Sequence, residues 1–122
     1  MKRLLLALLL VSTQAVADEY TTADKQREAV YLTLHVIDWA QTRTIARNPD
    51  KYAEGGVVAS RVIGAHPSVG QVDAYMVGSA LLVMAVSRAL PAEYRRVFQY
   101  VTIGDSAYSV GRNFSIGIWV GF

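Results

Sequence analysis

The stretch "YLTLHVIDWAQT", residues 31–42, decides how the chain is read. At about 100° per residue, a helix places Tyr31, His35, Asp38 and Thr42 on one narrow stripe, within an arc of roughly 60°. Val30, Leu32, Leu34, Val36, Ile37, Trp39, Ala40 and Ile45 surround that stripe. An ordinary surface helix has the reverse design, an apolar stripe on a polar body. A helix apolar almost all round is buried in protein or in lipid. Its polar stripe then needs internal partners, because an unpaired buried charge is expensive. The stripe therefore predicts an inward-facing polar seam, with Asp38 accepting hydrogen bonds from Thr42 and His35.

Outward from this stretch, the chain reads as all-α, a three-helix bundle over about 22–47, 69–90 and 91–111. The first helix opens at Thr21 and Asp24, which have the spacing of a capping box, and stops before Pro49. Residues 48–71 form a linker broken by Gly55, Gly56 and His66-Pro67. A linker this long is functional or holds a short element of its own. "VVASRVI" (residues 57–63) fits one helical turn or a short strand. Ser68 and Gln71 repeat the capping-box spacing ahead of the second helix. Pro91 suits the first position of the third.

The tail "NFSIGIWVGF" changes period. Phe114, Ile116, Ile118, Val120 and Phe122 alternate with smaller or polar residues, apart from Trp119, which predicts a short C-terminal β-like strand. A barrel of at least about eight strands is beyond a chain with three helices ahead of the tail.

The first residues predict export. "MKRLLLALLLVSTQAVA" has a basic start, an apolar run and small residues at Ala15 and Ala17, the pattern of a signal peptide over residues 1–17. Residues 18–122 then form a single helical domain. Lys2 and Arg3 carry the whole net charge of +2, so the rest is neutral and offers no basic patch for nucleic acid. There is no Cys, hence no disulfide framework. These features point to a bacterial envelope protein, in the inner membrane or the periplasm.

Residues 74–87 carry no charge and make the second helix the best candidate to cross a bilayer, with Arg88 snorkelling. His35 and Asp38 in the first helix and Asp105 in the third argue for a helical domain outside the bilayer, unless they face other helices. Small residues gather on one side of each later helix: Ala74, Gly78, Ala85 and Ala89, then Gly104 and Gly111. Such faces let backbones approach closely, either within the bundle or between copies.

Four readings of the polar residues compete. His35 and Asp38 make half of a metal site if Glu54 and His66 complete it. The chain has only two His, and a catalytic zinc site wants three protein ligands with His prominent. A His–Asp pair does acid–base work where a nucleophile is near, but no G-x-S-x-G elbow is present. Asp38, His35, Asp105 and Tyr108 make a polar relay if the helices cross a membrane. The bland reading, a buried network of Tyr31, His35, Asp38, Thr42, Glu54, His66 and Asp105 that registers the helices, is adopted here. No metal ligand set, catalytic residue or cofactor is assigned.

"DWAQT" (residues 38–42), Glu54, "IGAHPSVGQVDAY" (residues 63–75) and "QYVTIG" (residues 99–104) resemble a small uncharacterised family of bacterial and phage-encoded proteins. In that family a D-W-x-Q-T helix precedes an E-x-N-P-x-L-G-x-H-P-S loop and two apolar helices. The resemblance implies a small helical, membrane-associated protein and carries no activity with it. This chain departs from the pattern after Glu54, where "GGVVASRVIG" replaces the Asn-Pro, and at "GRN" (residues 111–113), where a His-containing tripeptide is expected. The combined expectation is a small envelope protein with a structural or interaction role, its partner the membrane or another envelope protein. The alternative is a membrane-bound or periplasmic enzyme or ion-handling protein using the His/Asp/Glu cluster.

Overall fold

A computed structural model describes residues 19–120; the expected signal peptide and the last two residues of the tail lie outside this range. The described chain is helical: α1 (Thr22–Arg47), α2 (Val57–Ile63), α3 (Val69–Ala89) and α4 (Ala92–Ser115). Both capping boxes form as the sequence spacing requires. Thr21 accepts from Asp24 N at 3.1 Å while the Asp24 carboxylate accepts from Thr21 N at 2.9 Å. Ser68 and Gln71 make the same reciprocal pair. Each box satisfies two of the amide donors that a helix start leaves open. Pro91 is the residue before α4 rather than its first member.

α1 is the hub. It packs most extensively along α4 and less along α3, and α3 meets α4 less than either meets α1. The starts of α1 and α4 lie level, tied by Asp24 and Arg95, and α3 runs the other way against α1. The linker folds back on itself, with Glu54 N donating to the carbonyl of Ala65 at 2.8 Å. α2 sits inside that closed loop, so "VVASRVI" is a short helix and not a strand.

Two expectations are corrected. α4 continues to Ser115, past the predicted end at 111, and there is no strand among the described residues. A lone strand has no ladder to join. Instead Gly117, at φ +89°, turns the chain back, Ile118 N donates to the Asn113 carbonyl at 2.9 Å, and Ile118 is buried. The alternation of the tail thus marks one inserted side chain, Ile118, and one ring, Trp119, set edge-on to Phe114.

The second correction concerns the small residues. Ala74, Gly78, Ala85, Gly104 and Gly111 are exposed, and Ala89 is half-buried. A Cβ added at Gly78, Gly104 or Gly111 would meet nothing within 4 Å. These faces point away from the other helices. α3 instead turns Val72, Met76 and Ser87 inward, and α4 turns Arg95, Gln99, Ser106, Val110 and Asn113 inward.

The interior is polar and the periphery apolar. Asp24, His35, Gln41, Thr42, Ser87, Arg95, Gln99, Ser106 and Asn113 are buried, against seven buried apolar side chains. Among the described residues sixteen large apolar side chains are exposed, including Val30, Val36, Val77, Leu81, Leu82, Val97 and Val101. Scattered exposed apolar residues are normal in a water-soluble protein; an apolar surface over a polar interior is not.

Candidate functional site

Three polar clusters hold the helices. The first is at the start of α1. Arg95 is fully buried, and all three of its nitrogens donate: Nε to the Ser87 carbonyl at 2.7 Å, Nη1 to Asp24 Oδ2 and the Glu19 carbonyl at 2.9 Å, and Nη2 to the Leu90 carbonyl at 3.1 Å. Gln99 Nε2 donates to the Asp24 carbonyl and the Tyr20 hydroxyl, while Arg27 Nε donates to Gln99 Oε1. The Tyr20 hydroxyl donates to Glu28, and Arg88 and Arg95 lie over its ring. Burial, then the bond donated to Glu28, pushes the Tyr20 phenol up to about 12. The second cluster is near the far end of α1, where Asp73 accepts from Trp39 Nε1 at 2.7 Å and from Arg43 at 3.1 Å. In the third, Gln41 Nε2 donates to the carbonyls of Val110 and Ile118, and Asn113 Nδ2 donates to Gln41 Oε1. These are structural ties between the helices. None was singled out from the sequence, although Arg95 and Gln99 stand four apart on one helix face, a readable spacing.

Between α1, α3 and α4 lies a cavity of about 670 Å³. Six of the seven predicted site residues line it: Tyr31, His35, Asp38, Thr42, Glu54 and Asp105. His66 does not; it is exposed on the linker beside the buried Pro67. The expected group of His35, Asp38, Glu54 and His66 is therefore not assembled. Among the described residues no three His, Cys, Asp or Glu side chains converge as a metal-ligand set.

His35 departs from expectation in its partners. Its Nε2 is 2.8 Å from the Met76 carbonyl, which can only accept, so Nε2 carries the proton. Nδ1 then accepts from the Tyr31 hydroxyl at 3.3 Å. Both ring nitrogens are engaged, and neither serves Asp38. Asp38 receives long bonds of 3.4 Å from Thr42 Oγ1 and Asn113 Nδ2, and Thr42 donates at 2.7 Å to the Asp38 carbonyl instead. The Asp38 carboxylate is thus weakly held, and Glu54 and Asp105 line the same cavity. Asp105 stands exposed at the rim.

The closed linker brings Glu54 to the cavity. Glu54 Oε1 accepts from Gly56 N at 2.8 Å, while Oε2 is buried and has no hydrogen-bond partner among the described residues. Arg112 crosses directly over Gly55, where a Cβ would overlap its guanidinium. Glycine permits that approach, and it sets Arg112 beside Glu54 at the same end of the cavity. Leu82 and Val101 also line the cavity, yet are 65% and 63% exposed, so the space reaches the outer surface between α3 and α4. The site is a cleft with a charged end under the linker and an apolar side opening.

Comparison of the chain with protein families, characterised proteins and solved structures finds no match.

Proposed function

We propose that the chain is an integral membrane protein of the bacterial envelope that acts by binding a partner rather than by catalysis. One observation carries this reading. α3 is long and apolar enough to cross a membrane, and only 11% of its most apolar window is buried inside the molecule. The core helix of a water-soluble protein would bury most of that surface. Here it faces outward, where lipid is the fitting solvent.

The rest of the periphery agrees. At 26, 21 and 24 residues, α1, α3 and α4 are long enough for a hydrocarbon layer of about 30 Å. Charged side chains gather at two levels. Lys25, Arg27, Glu28, Arg88 and Arg96 stand at one, and Arg43, Arg47, Asp73 and Arg112 at the other. Tyr20 and Tyr94 accompany the first level, Trp39 and Trp119 the second, as interfacial aromatics do. Val30, Val36, Val77, Leu81, Val97 and Val101 lie between. Ionisable groups of that middle layer face the cleft or its rim, the arrangement expected where lipid surrounds the protein. The expected three-helix bundle, with α2 as an appendage of the linker, is the architecture this reading adopts. The resemblance around "DWAQT" also favours a membrane-associated helical protein.

Binding is favoured over catalysis because both His35 nitrogens are committed to Tyr31 and to Met76, leaving no free base beside Asp38. Fractionation tests the membrane reading. The tagged protein is expected to stay in membranes through osmotic shock and an alkaline carbonate wash, and to need detergent for release. Release by osmotic shock alone would overturn it.

A further inference from the structure

We propose that the cleft between α3 and α4 holds a zwitterionic phospholipid with a primary-amine headgroup. The ammonium lies at Glu54, with Asp38 and Asp105 on the same cleft, the phosphodiester on Arg112, and an acyl chain along Leu82 and Val101. This rests on the membrane reading and gives the binding role a ligand class.

Several features of the cleft converge. The cavity, about 670 Å³, is in the range of small-molecule sites. Its charged end is unbalanced: three carboxylates line it with one guanidinium. In surroundings of low dielectric, unpaired charges are costly, and an occupant that supplies the missing cation removes the cost. Glu54 Oε2, buried without a hydrogen-bond partner, is the acceptor most in need of one. An ammonium has three donors and supplies the partner this oxygen lacks.

Arg112 selects between kinds of cation. It makes no ion pair among the described residues, and it lies beside Glu54, across Gly55. A simple amine or a metal ion would leave it without an anion. A molecule with cation and anion a few atoms apart uses both, and guanidinium is well shaped for a phosphate oxygen pair.

The direction of the cleft selects a lipid over a soluble zwitterion. Asp38, Glu54 and Arg112 lie toward the level of Arg43 and Asp73, hence near one membrane surface. Leu82 and Val101 lie deeper, toward the far ends of their helices, and open sideways. A lipid entering between α3 and α4 keeps its headgroup near the surface and its chain in the middle layer.

The test is native mass spectrometry of the full chain released from detergent micelles, titrated in separate arms with phosphatidylethanolamine, phosphatidylglycerol and free phosphoethanolamine. Phosphatidylethanolamine is expected to bind about tenfold more tightly than phosphatidylglycerol, the size of one charge-assisted hydrogen bond. Glu54→Gln removes that preference, Arg112→Gln weakens the binding of both lipids because both carry the phosphodiester, and His66→Ala, outside the cleft, changes neither. Glu54 is on the linker and Arg112 is exposed, so unchanged circular dichroism separates lost binding from lost folding. Equal binding of the two lipids, or a preference untouched by Glu54→Gln, overturns the proposal. Phosphoethanolamine competing as well as the lipid overturns it in favour of a soluble zwitterion. Each of these results leaves the membrane reading standing, whereas release by osmotic shock would remove that reading first.

Discussion

Arg95 Nη1 and Asp24 Oδ2 meet at 2.9 Å with both side chains almost wholly out of solvent, 71 residues apart in the chain. This pair joins the start of α4 to the start of α1, and the Arg95 fork also holds the end of α3 through Ser87 and Leu90. One side chain thus fastens three helices where the α3–α4 turn is made. Breaking a buried pair by removing one partner costs about 3–5 kcal/mol, because the other charge stays buried alone. Arg95→Ala should therefore lower the thermal unfolding midpoint in detergent strongly. Arg88→Ala removes an ion pair whose arginine is half exposed, and should cost no more than about 1 kcal/mol. Equal effects would mean that burial does not set the strength of these pairs.

Tyr20 gives the same cluster a pH dependence. The folded phenol holds its proton up to about 12, above its ordinary 10.0, chiefly because it is buried and donates to Glu28. Between those values the folded chain binds a proton that the unfolded chain has lost. Its stabilising contribution is complete below the ordinary value and falls as pH rises toward the folded one. Tyr20→Phe cannot titrate. It should be less stable at neutral pH, through loss of the bonds to Glu28 and Gln99, and should lose less stability than the parent between these two pH values. Parallel stability curves for the two proteins would remove Tyr20 from the cluster.

His35 is a structural residue with a checkable proton. Its bond to the Met76 carbonyl requires the Nε2–H tautomer, which ¹⁵N chemical shifts of the labelled imidazole read directly. His35→Leu removes the imidazole bond to the Met76 carbonyl, which keeps Ser79 Oγ, and leaves the Tyr31 hydroxyl without its partner, at a cost of about 1–3 kcal/mol. A ring protonated at Nδ1 in the folded protein would reverse the assignment and return His35 to contention as a base for Asp38.

What was legible in the sequence was local. Thr21 with Asp24 and Ser68 with Gln71 announced two helix starts, and the narrow stripe of Tyr31, His35, Asp38 and Thr42 announced an inward seam. These follow from spacing within a few residues. Partners distant in the chain were not legible. Arg95 beside Arg96 reads as a solvated basic pair until Asp24 is brought to it by the fold. His35 and Asp38 look like partners one turn apart, yet the competing carbonyl of Met76, 41 residues away, takes the imidazole. Alternation in the tail was real, but Gly117 turned it into a fold-back. A helical wheel tells which small residues share a face and not which face turns inward, and here the polar seam took the interior.

That last point has its own test. Gly78, Gly104 and Gly111 sit in helices with open space where a side chain would begin. If nothing packs against them, alanine at each position adds no clash and gains the helix propensity glycine lacks, up to about 1 kcal/mol per site. Gly78→Ala and Gly104→Ala should therefore be neutral or slightly more stable in thermal unfolding, singly and together, and additive because they lie on different helices. Gly78→Leu should also be tolerated, since the added side chain joins Val77, Leu81 and Leu82 on the apolar surface. A second copy pressed onto these faces would behave otherwise. The leucine variant would then lower both stability and the apparent mass in detergent, measured by light scattering. An unchanged mass with unchanged or raised stability assigns these faces to lipid.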